Sequence, residues 1–348
     1  MKALVFNGPL DVRYENYPDP ELGSDNSVIL KVTKCSICGS DLHMYHGENI
    51  GDASYADGVE KFCVGHEFIG EIVETGPAVY NFKKGQRVLA AGGSGCGRCS
   101  QCVSGNSQTC SSITAFGLST KLQGGQAEYV NVPNADFTLH AIPDGVSDDQ
   151  AVLLTDAMAT AFFGLGRTNL QPGDTVAVVG LGPIGLIGVE LAYVLGASRV
   201  FAIDPVEARR IQAEQLGASA VAPDNAKQVI KDETKGFGVK RVFEASGAKA
   251  AVALTTAIAS RGSTVSFIGL PQPDVTLPLP QLLFKDIQVR AGVASVTGQW
   301  QNLIPLLQGG RLKADGLFSH RMKLSEGREA YRMFDAREDG VLKIMLDL

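Results

Sequence analysis

Thr175-Val176-Ala177-Val178-Val179-Gly180-Leu181-Gly182-Pro183-Ile184-Gly185 decides the fold of this chain. A continuous apolar strand runs into a glycine turn and then into an apolar helix that extends to about Leu195. A strand with no polar face is one buried on both sides, as in a parallel sheet. Outward from this unit the pattern repeats. Val200-Phe201-Ala202-Ile203-Asp204 is a second strand, and others are expected at Arg241-Val242-Phe243, Thr264 to Ile268 and Ile287-Gln288-Val289. Helical stretches such as Ala248 to Ala259 separate them. Buried strands alternating with helices predict a doubly wound α/β sheet of the Rossmann type.

The turn itself has the order Gly180-Leu181-Gly182-Pro183-Ile184-Gly185. Gly180 permits the tight turn, Gly182 lets the backbone approach a pyrophosphate, and Gly185 lets helix and strand pack closely. The start of the helix at Pro183 and Ile184 offers the free N–H groups of Ile184 and the residues after it to phosphates. Asp204 closes the second strand, where a carboxylate accepts hydrogen bonds from the adenosine ribose and repels a 2′-phosphate, favouring NAD over NADP. Arg209 is within reach of the same ribose or a phosphate. A plain turn with Asp204 capping the next helix is the alternative, and it leaves the joint occurrence of loop and acid unexplained.

Upstream the texture differs. Short runs such as Val28 to Val32, Phe68 to Val73 and Arg87-Val88-Leu89 alternate with Gly/Pro turns, which predicts an antiparallel β region. Within it Cys96, Cys99, Cys102 and Cys110 offer four thiolates on a glycine-rich loop. Four soft ligands at short spacing suit a closed tetrahedral zinc, with Zn–S near roughly 2.3 Å. An iron–sulfur cluster or unliganded thiols are the rivals. A second constellation is Cys38-Gly39-Ser40-Asp41-Leu42-His43 with Gly65-His66-Glu67. Cys38 and His66 form the mixed sulfur–nitrogen pair that an open, catalytic zinc site uses, and Asp41 is placed to orient the His66 ring. Cys35 and Cys63 carry no motif and read as buried packing residues.

The 348 residues suffice for two domains. Apolar residues at 45% and charged residues at 20% describe a globular chain. A net charge of −6 leaves no basic face for nucleic acid. No run reaches the roughly 18 apolar residues of a membrane span, and the opening Met1 to Asn7 reads as a strand without a signal-peptide pattern. Seven cysteines on these terms are metal ligands and core residues rather than a disulfide framework, which predicts a cytoplasmic protein.

Together these motifs, with Gly124-Gly125-Gln126-Ala127-Glu128-Tyr129, resemble the zinc-containing medium-chain dehydrogenase/reductase family, the zinc alcohol dehydrogenases. The likeness covers nearly the whole chain. It implies a GroES-like β-rich catalytic domain over 1–155 and 295–348, carrying a structural-zinc loop at 94–112, and a six-stranded Rossmann domain over 156–294, with the active site in the cleft between them. It also implies one catalytic and one structural zinc, NAD(H) as cofactor, and a homo-oligomer, a tetramer in preference to a dimer. Many members use a later cysteine as third catalytic ligand, and no cysteine follows Cys110 here. The matching region, Leu153 to Thr160, places Asp156 at that position, as in the subgroup with an aspartate ligand; capping of a helix starting at Ala157 is the other role open to it. Glu67 is implied to stand behind the metal, approaching it when water exchanges.

The resemblance implies that an alcohol at the zinc passes hydride to NAD, while Ser40 and His43 relay its proton to solvent through the cofactor ribose. His46 lies off this motif, and His140 and His320 read as structural or surface residues. Nicotinamide contacts map to Thr160, Ile268, Gly269, Leu270, Gly292, Val293 and Ala294. Met44, Tyr45, Phe116, Phe162 and Trp300 are candidates to line an apolar substrate pocket. A polyol or threonine dehydrogenase, and a formaldehyde dehydrogenase or dismutase, are the alternative activities on the same site. A scaffold repurposed as a non-catalytic binding module is disfavoured by the intact site residues.

Overall fold

Val176, Ala177, Val178 and Val179 are all buried, so the strand Thr175–Val179 has no solvent face. It pairs in parallel with Arg199–Ile203 on one side and Val239–Glu244 on the other. The full sheet runs Ser219–Val221, Arg199–Ile203, Thr175–Val179, Val239–Glu244, Ala259–Phe267, Gln288–Ala291, six parallel strands whose order reverses beside Thr175–Val179. Ligands of such sheets bind at that reversal, outside the carboxyl ends of the strands. The helix Pro183–Val194 follows with proline at its first turn, where the missing N–H costs nothing, and ends before Gly196 at φ +98°. One strand is longer than the apolar run from Thr264 indicated. It begins at Ala259 opposite Val239, shifts register, and resumes with Thr264 opposite Arg241. The added half is polar (Ser260, Arg261, Gly262), so hydropathy did not mark it.

The computed structural model describes residues 1–48, 55, 60–271, 275–338 and 340–348. The chain divides into two units: Met1–Ala159 with Ser295–Gln308 and Asp315–Leu348, and Thr160–Ala294 with Gly309–Ala314. The first is β-rich. A seven-stranded sheet runs Leu139–Ala141, Arg87–Ala90, Glu67–Thr75, Val28–Ser36, Ile344–Asp347, His320–Lys323, with Tyr129–Val132 also on Val28–Ser36. A smaller sheet of Val12–Asn16, Lys2–Phe6 and Phe62–Cys63 closes over the core formed by Leu4, Phe6, Leu30, Phe62, Phe68 and Phe116 among others. Among the described residues no helix is long and apolar enough to cross a membrane.

Phe243 anchors the second unit. It is fully buried, and the helix glycines Gly164 and Gly188 lie so close that a Cβ on either would come within 2.5 or 2.6 Å of its ring. Phe243→Ala is expected to cost about 3–5 kcal/mol through the cavity left beneath these helices, read as a lowered urea midpoint of this unit.

Candidate functional site

The central strand Val28–Ser36 fixes one end of the site. Ser36 lies opposite Glu67 on one side and Met345 on the other. Cys38, just past the strand, and His66, just before Glu67, therefore emerge at the same sheet end. Asp156 arrives from a third direction. The helix Asp148–Leu154 is started by a Ser147–Gln150 capping box, and the Thr155 carbonyl accepts a hydrogen bond from Gly92 N at 3.0 Å. Gly92 packs against His66, a Cβ there meeting its Cδ2 at 3.4 Å.

The ligand atoms of Cys38, His66 and Asp156 consequently lie within 4.8 Å of one another. Asp156 Oδ2 is 3.4 Å from Cys38 Sγ and 3.6 Å from His66 Nε2. Asp41, wholly buried, uses one oxygen to accept from Cys38 N at 3.0 Å and sets the other 3.0 Å from His66 Nδ1. With Nδ1 facing Asp41, Nε2 is on the side of the thiol and carboxylate, with Ser40 Oγ 3.3 Å away. Burial, together with Glu67 and Asp156, pushes the Cys38 thiol above its ordinary range. Burial also disfavours a charged His66 ring, yet Asp41 and Asp156 draw a proton onto it. A buried thiol and imidazole with a half-buried carboxylate are the donor set of a dication, and they fit zinc.

Behind them stands a group that sequence reading missed. Lys343, 2% exposed, places Nζ 2.5 Å from Glu67 Oε2, and Ser36 Oγ donates to the same oxygen. Burial pushes the Lys343 ammonium down, but Glu67 beside it holds it above its usual value. Glu67 Oε1 is buried with no hydrogen-bond partner among the described residues. Lys343 is distant in sequence and without a motif; only the pairing of Ile344–Asp347 with Val28–Ser36 brings it here.

Cys96, Cys99, Cys102 and Cys110 form the second set, again with all sulfurs within 4.8 Å. Backbone amides point at them: Cys96 N is 3.5 Å from Cys110 Sγ, Cys99 N 3.4 Å from Cys96 Sγ and Ser112 N 3.4 Å from Cys110 Sγ. The amides of Arg98 and Cys99 pull Cys96 down to about 6, whereas burial and the neighbouring sulfurs push Cys102 up to about 12. Four thiolates this close require a cation, and the set is consistent with a structural zinc.

His43 closes the helix Gly39–Tyr45, its Nδ1 2.6 Å from Glu48 Oε2. His46 instead meets Asp335 Oδ1 at 2.7 Å, His140 packs on Trp300, and His320 contacts Ser319. In the second unit Gly180 has φ +91°, and a Cβ on Gly185 would fall 1.8 Å from its carbonyl oxygen, so this crossing admits only glycine. A Cβ on Gly182 would meet nothing within 4 Å, leaving open space before the unsatisfied start of the helix, as a pyrophosphate requires. Asp204 accepts from Leu181 N at 2.7 Å and Val206 N at 2.8 Å, tying the glycine loop to the next strand. Arg209 is 4.0 Å from Asp204 Oδ2, while Arg210, absent from the sequence reading, donates to the carbonyls of Asp204 and Pro205.

Thr160 lies on the helix Ala157–Gly166. Ile268 packs against Gly164, Leu270 against Gly247, and Val293 is exposed. The pocket candidates divide differently from expectation. Met44, Tyr45 and Phe116 belong to the core of the first unit, Tyr45 packing on Tyr331 and Phe116 on Phe68. Trp300 donates from Nε1 to Leu154 O and borders a cavity of about 430 Å³ beside the cysteine loop with Cys102, Phe137, Leu139 and Thr297. Phe162 is half-buried. Cys35 and Cys63 are buried.

Residues 24–144 match the alcohol dehydrogenase GroES-like domain and residues 183–309 the zinc-binding dehydrogenase domain. A probable zinc-binding alcohol dehydrogenase of Mycobacterium tuberculosis is 38% identical over 351 residues, covering 99% of this chain and 88% of that protein. A sorbitol dehydrogenase of Bacillus subtilis is 31% identical over 351 residues, covering 99% and 97%. Among solved structures, the alcohol dehydrogenase TADH of Thermus sp. ATN1 superposes with a TM-score of 0.92 at 33% identity, covering 100% of this chain and 99% of that one. The chain belongs to the zinc-dependent medium-chain dehydrogenase/reductase family and is an oxidoreductase of its zinc-type alcohol dehydrogenase branch.

Lys343→Met leaves Glu67 charged and unpaired in the core. It is expected to lower stability by about 3–5 kcal/mol in urea titration, with much of the loss recovered when Glu67→Gln is added.

Proposed function

We propose that the chain catalyses reversible hydride transfer between a primary or secondary alcohol and NAD, using one catalytic zinc at Cys38, His66 and Asp156 and one structural zinc at Cys96, Cys99, Cys102 and Cys110. The convergence of three chemically different donors at one sheet end is the observation that carries this reading. Bound zinc supplies the Lewis acid that makes an alcohol hydroxyl acidic at neutral pH, and bound NAD the hydride acceptor.

The chain's own residues do the rest. Asp41 holds His66 so that Nε2 faces the metal position. Ser40, beside that nitrogen, receives the hydroxyl proton and passes it on. His43, partly exposed, hands it to solvent. Glu67 stands behind the site with its charge balanced by Lys343. Gly180, Gly182, Pro183, Ile184 and Gly185 receive the pyrophosphate, with Thr160, Ile268, Leu270 and Val293 toward the nicotinamide. The Asp204 carboxylate, pinned by two amides, opposes a 2′-phosphate and supports NAD, with Arg209 toward the ribose. Residues 1–155 and 295–348, including the zinc loop 94–112, form the catalytic domain in this reading, and 156–294 the NAD-binding domain.

A homo-oligomer is supported by the outer strand Gln288–Ala291, whose four residues are all exposed, near Leu279, Leu283, Phe284 and Val293, also exposed. We take it as a tetramer on the family resemblance. Free thiolates as ligands suit a reducing compartment and support a cytoplasmic enzyme. Likeness to a sorbitol dehydrogenase makes a polyol the second substrate class, ahead of threonine or an aldehyde hydrate.

Absorbance of the reduced nicotinamide tests this with zinc-loaded protein, NAD or NADP, and a panel of ethanol, cyclohexanol, sorbitol, threonine and formaldehyde. Reduction of NAD by one class, lost on chelation, is expected; silence across the panel overturns the dehydrogenase reading. With a turned-over alcohol, His66→Ala abolishes activity, whereas His43→Ala slows it about a hundredfold with partial rescue by added base. Asp204→Ser shifts preference toward NADP, measured as the ratio of kcat/KM for the two cofactors; an unmoved ratio removes Asp204 from cofactor choice.

A further inference from the structure

The hydrogen bond from His43 to Glu48 is not part of the metal or cofactor sites, and it is built in rather than incidental. After the helix Gly39–Tyr45 the chain turns at Gly47, φ +76°, where a Cβ would approach Pro9 Cγ at 2.8 Å. The turn is locked by His46 N on Leu42 O, Gly47 N on Met44 O and Glu48 N on His43 O at 2.8 Å. Glu48 is thereby folded back onto the residue whose carbonyl it binds, and its Oε2 reaches His43 Nδ1 at 2.6 Å. Its second oxygen faces His46 Nδ1 at 3.9 Å, and His46 Nε2 in turn meets Asp335 on the helix Gly327–Ala336.

We propose that Glu48 is the positioning carboxylate of His43, fixing the imidazole nitrogen that takes the proton released in alcohol oxidation; this rests on the dehydrogenase reading above. A neutral imidazole has one N–H, and the hydrogen bond made by one nitrogen decides the state of the other. With Nδ1–H held by Glu48, the lone pair is on Nε2. Nε2 accepts one proton to give an imidazolium whose Nδ1–H stays on Glu48, and the carboxylate remains ionised throughout. The same proton then leaves Nε2 for water, which reaches the 27% exposed ring, and the starting tautomer is restored. A carboxylate that orients a histidine without itself taking the proton is the division of labour of hydrolase triads. The charged groups facing this unit are His46 and Asp335; Arg328 and Arg332, on the same helix as Asp335, act with it on the neighbouring Tyr45, and Arg332 is paired with Glu329 and Glu338.

Nitrogen-15 spectra of zinc-loaded, histidine-labelled protein test the proposal, with the His43 signals identified by their loss in His43→Gln. Wild-type His43 is expected to be Nδ1-protonated in its neutral form, and Glu48→Ala to lose that preference, with Glu48→Asp restoring part of it. In turnover of an alcohol from the panel, Glu48→Ala is expected to lower kcat roughly tenfold or more with KM little changed, and added formate to restore part of the loss. Neutral wild-type His43 protonated at Nε2, or unchanged His43 nitrogen shifts in Glu48→Ala, overturns the proposal. Absence of turnover with every alcohol overturns the dehydrogenase reading instead, and the nitrogen shifts still decide the tautomer.

Discussion

Buried negative charge is the constraint on which the first unit is organised. Cys38, Asp41, Asp156 and Glu67 surround His66, and taking each ionised carboxylate out of water costs several kcal/mol unless it is paired. Lys343 compensates Glu67 from behind, and is the one buried lysine among the described residues. Asp41 is absorbed by His66 and the Cys38 amide. Cys38, Asp156 and the His66 imidazole converge within 4.8 Å, and a dication held by all three, as proposed above, would balance the thiolate and carboxylate. The central strand Val28–Ser36 is where these demands meet, since its two neighbours carry Glu67 and the approach to Lys343.

The glycine loop solves the opposite problem with different means. In the proposed role its partner is an anion, for which positive character comes from backbone N–H groups rather than from side chains. Asp204 takes the Leu181 amide and ties the loop to the strand Arg199–Ile203, while the open space over Gly182 leaves the start of the helix approachable. One carboxylate thus both shapes the loop and sets the charge beside it. Fixed dipoles of this kind need no reorganisation when a charged ligand arrives.

Short-range order made much of this legible from the sequence. The parallel sheet followed from apolar runs interrupted by helices, and the cysteine loop and glycine turn from spacings within a few residues. The halves of the polar strand at Ser260 to Ser263 were not legible, because pairing there owes nothing to hydropathy. Asp156 was named through likeness to a family, since nothing local distinguishes a ligand aspartate from a helix cap. Lys343, Ser36 and Asp335 lay out of reach because their partners are supplied by strand and helix packing across most of the chain. Met44 and Phe116 misled for a related reason: apolar residues near a catalytic motif are as often core as pocket.

The zinc content and zinc K-edge absorption fine structure of the purified protein address the metal assignment most directly. Two zinc ions per chain are expected, with an average of about 2.5 sulfur ligands each and the remainder nitrogen or oxygen. Asp156→Ala should then remove oxygen scattering, or the catalytic zinc itself, while the all-sulfur site persists. A single zinc per chain in an all-sulfur environment, unchanged by Asp156→Ala, would contradict a metal site at Cys38, His66 and Asp156.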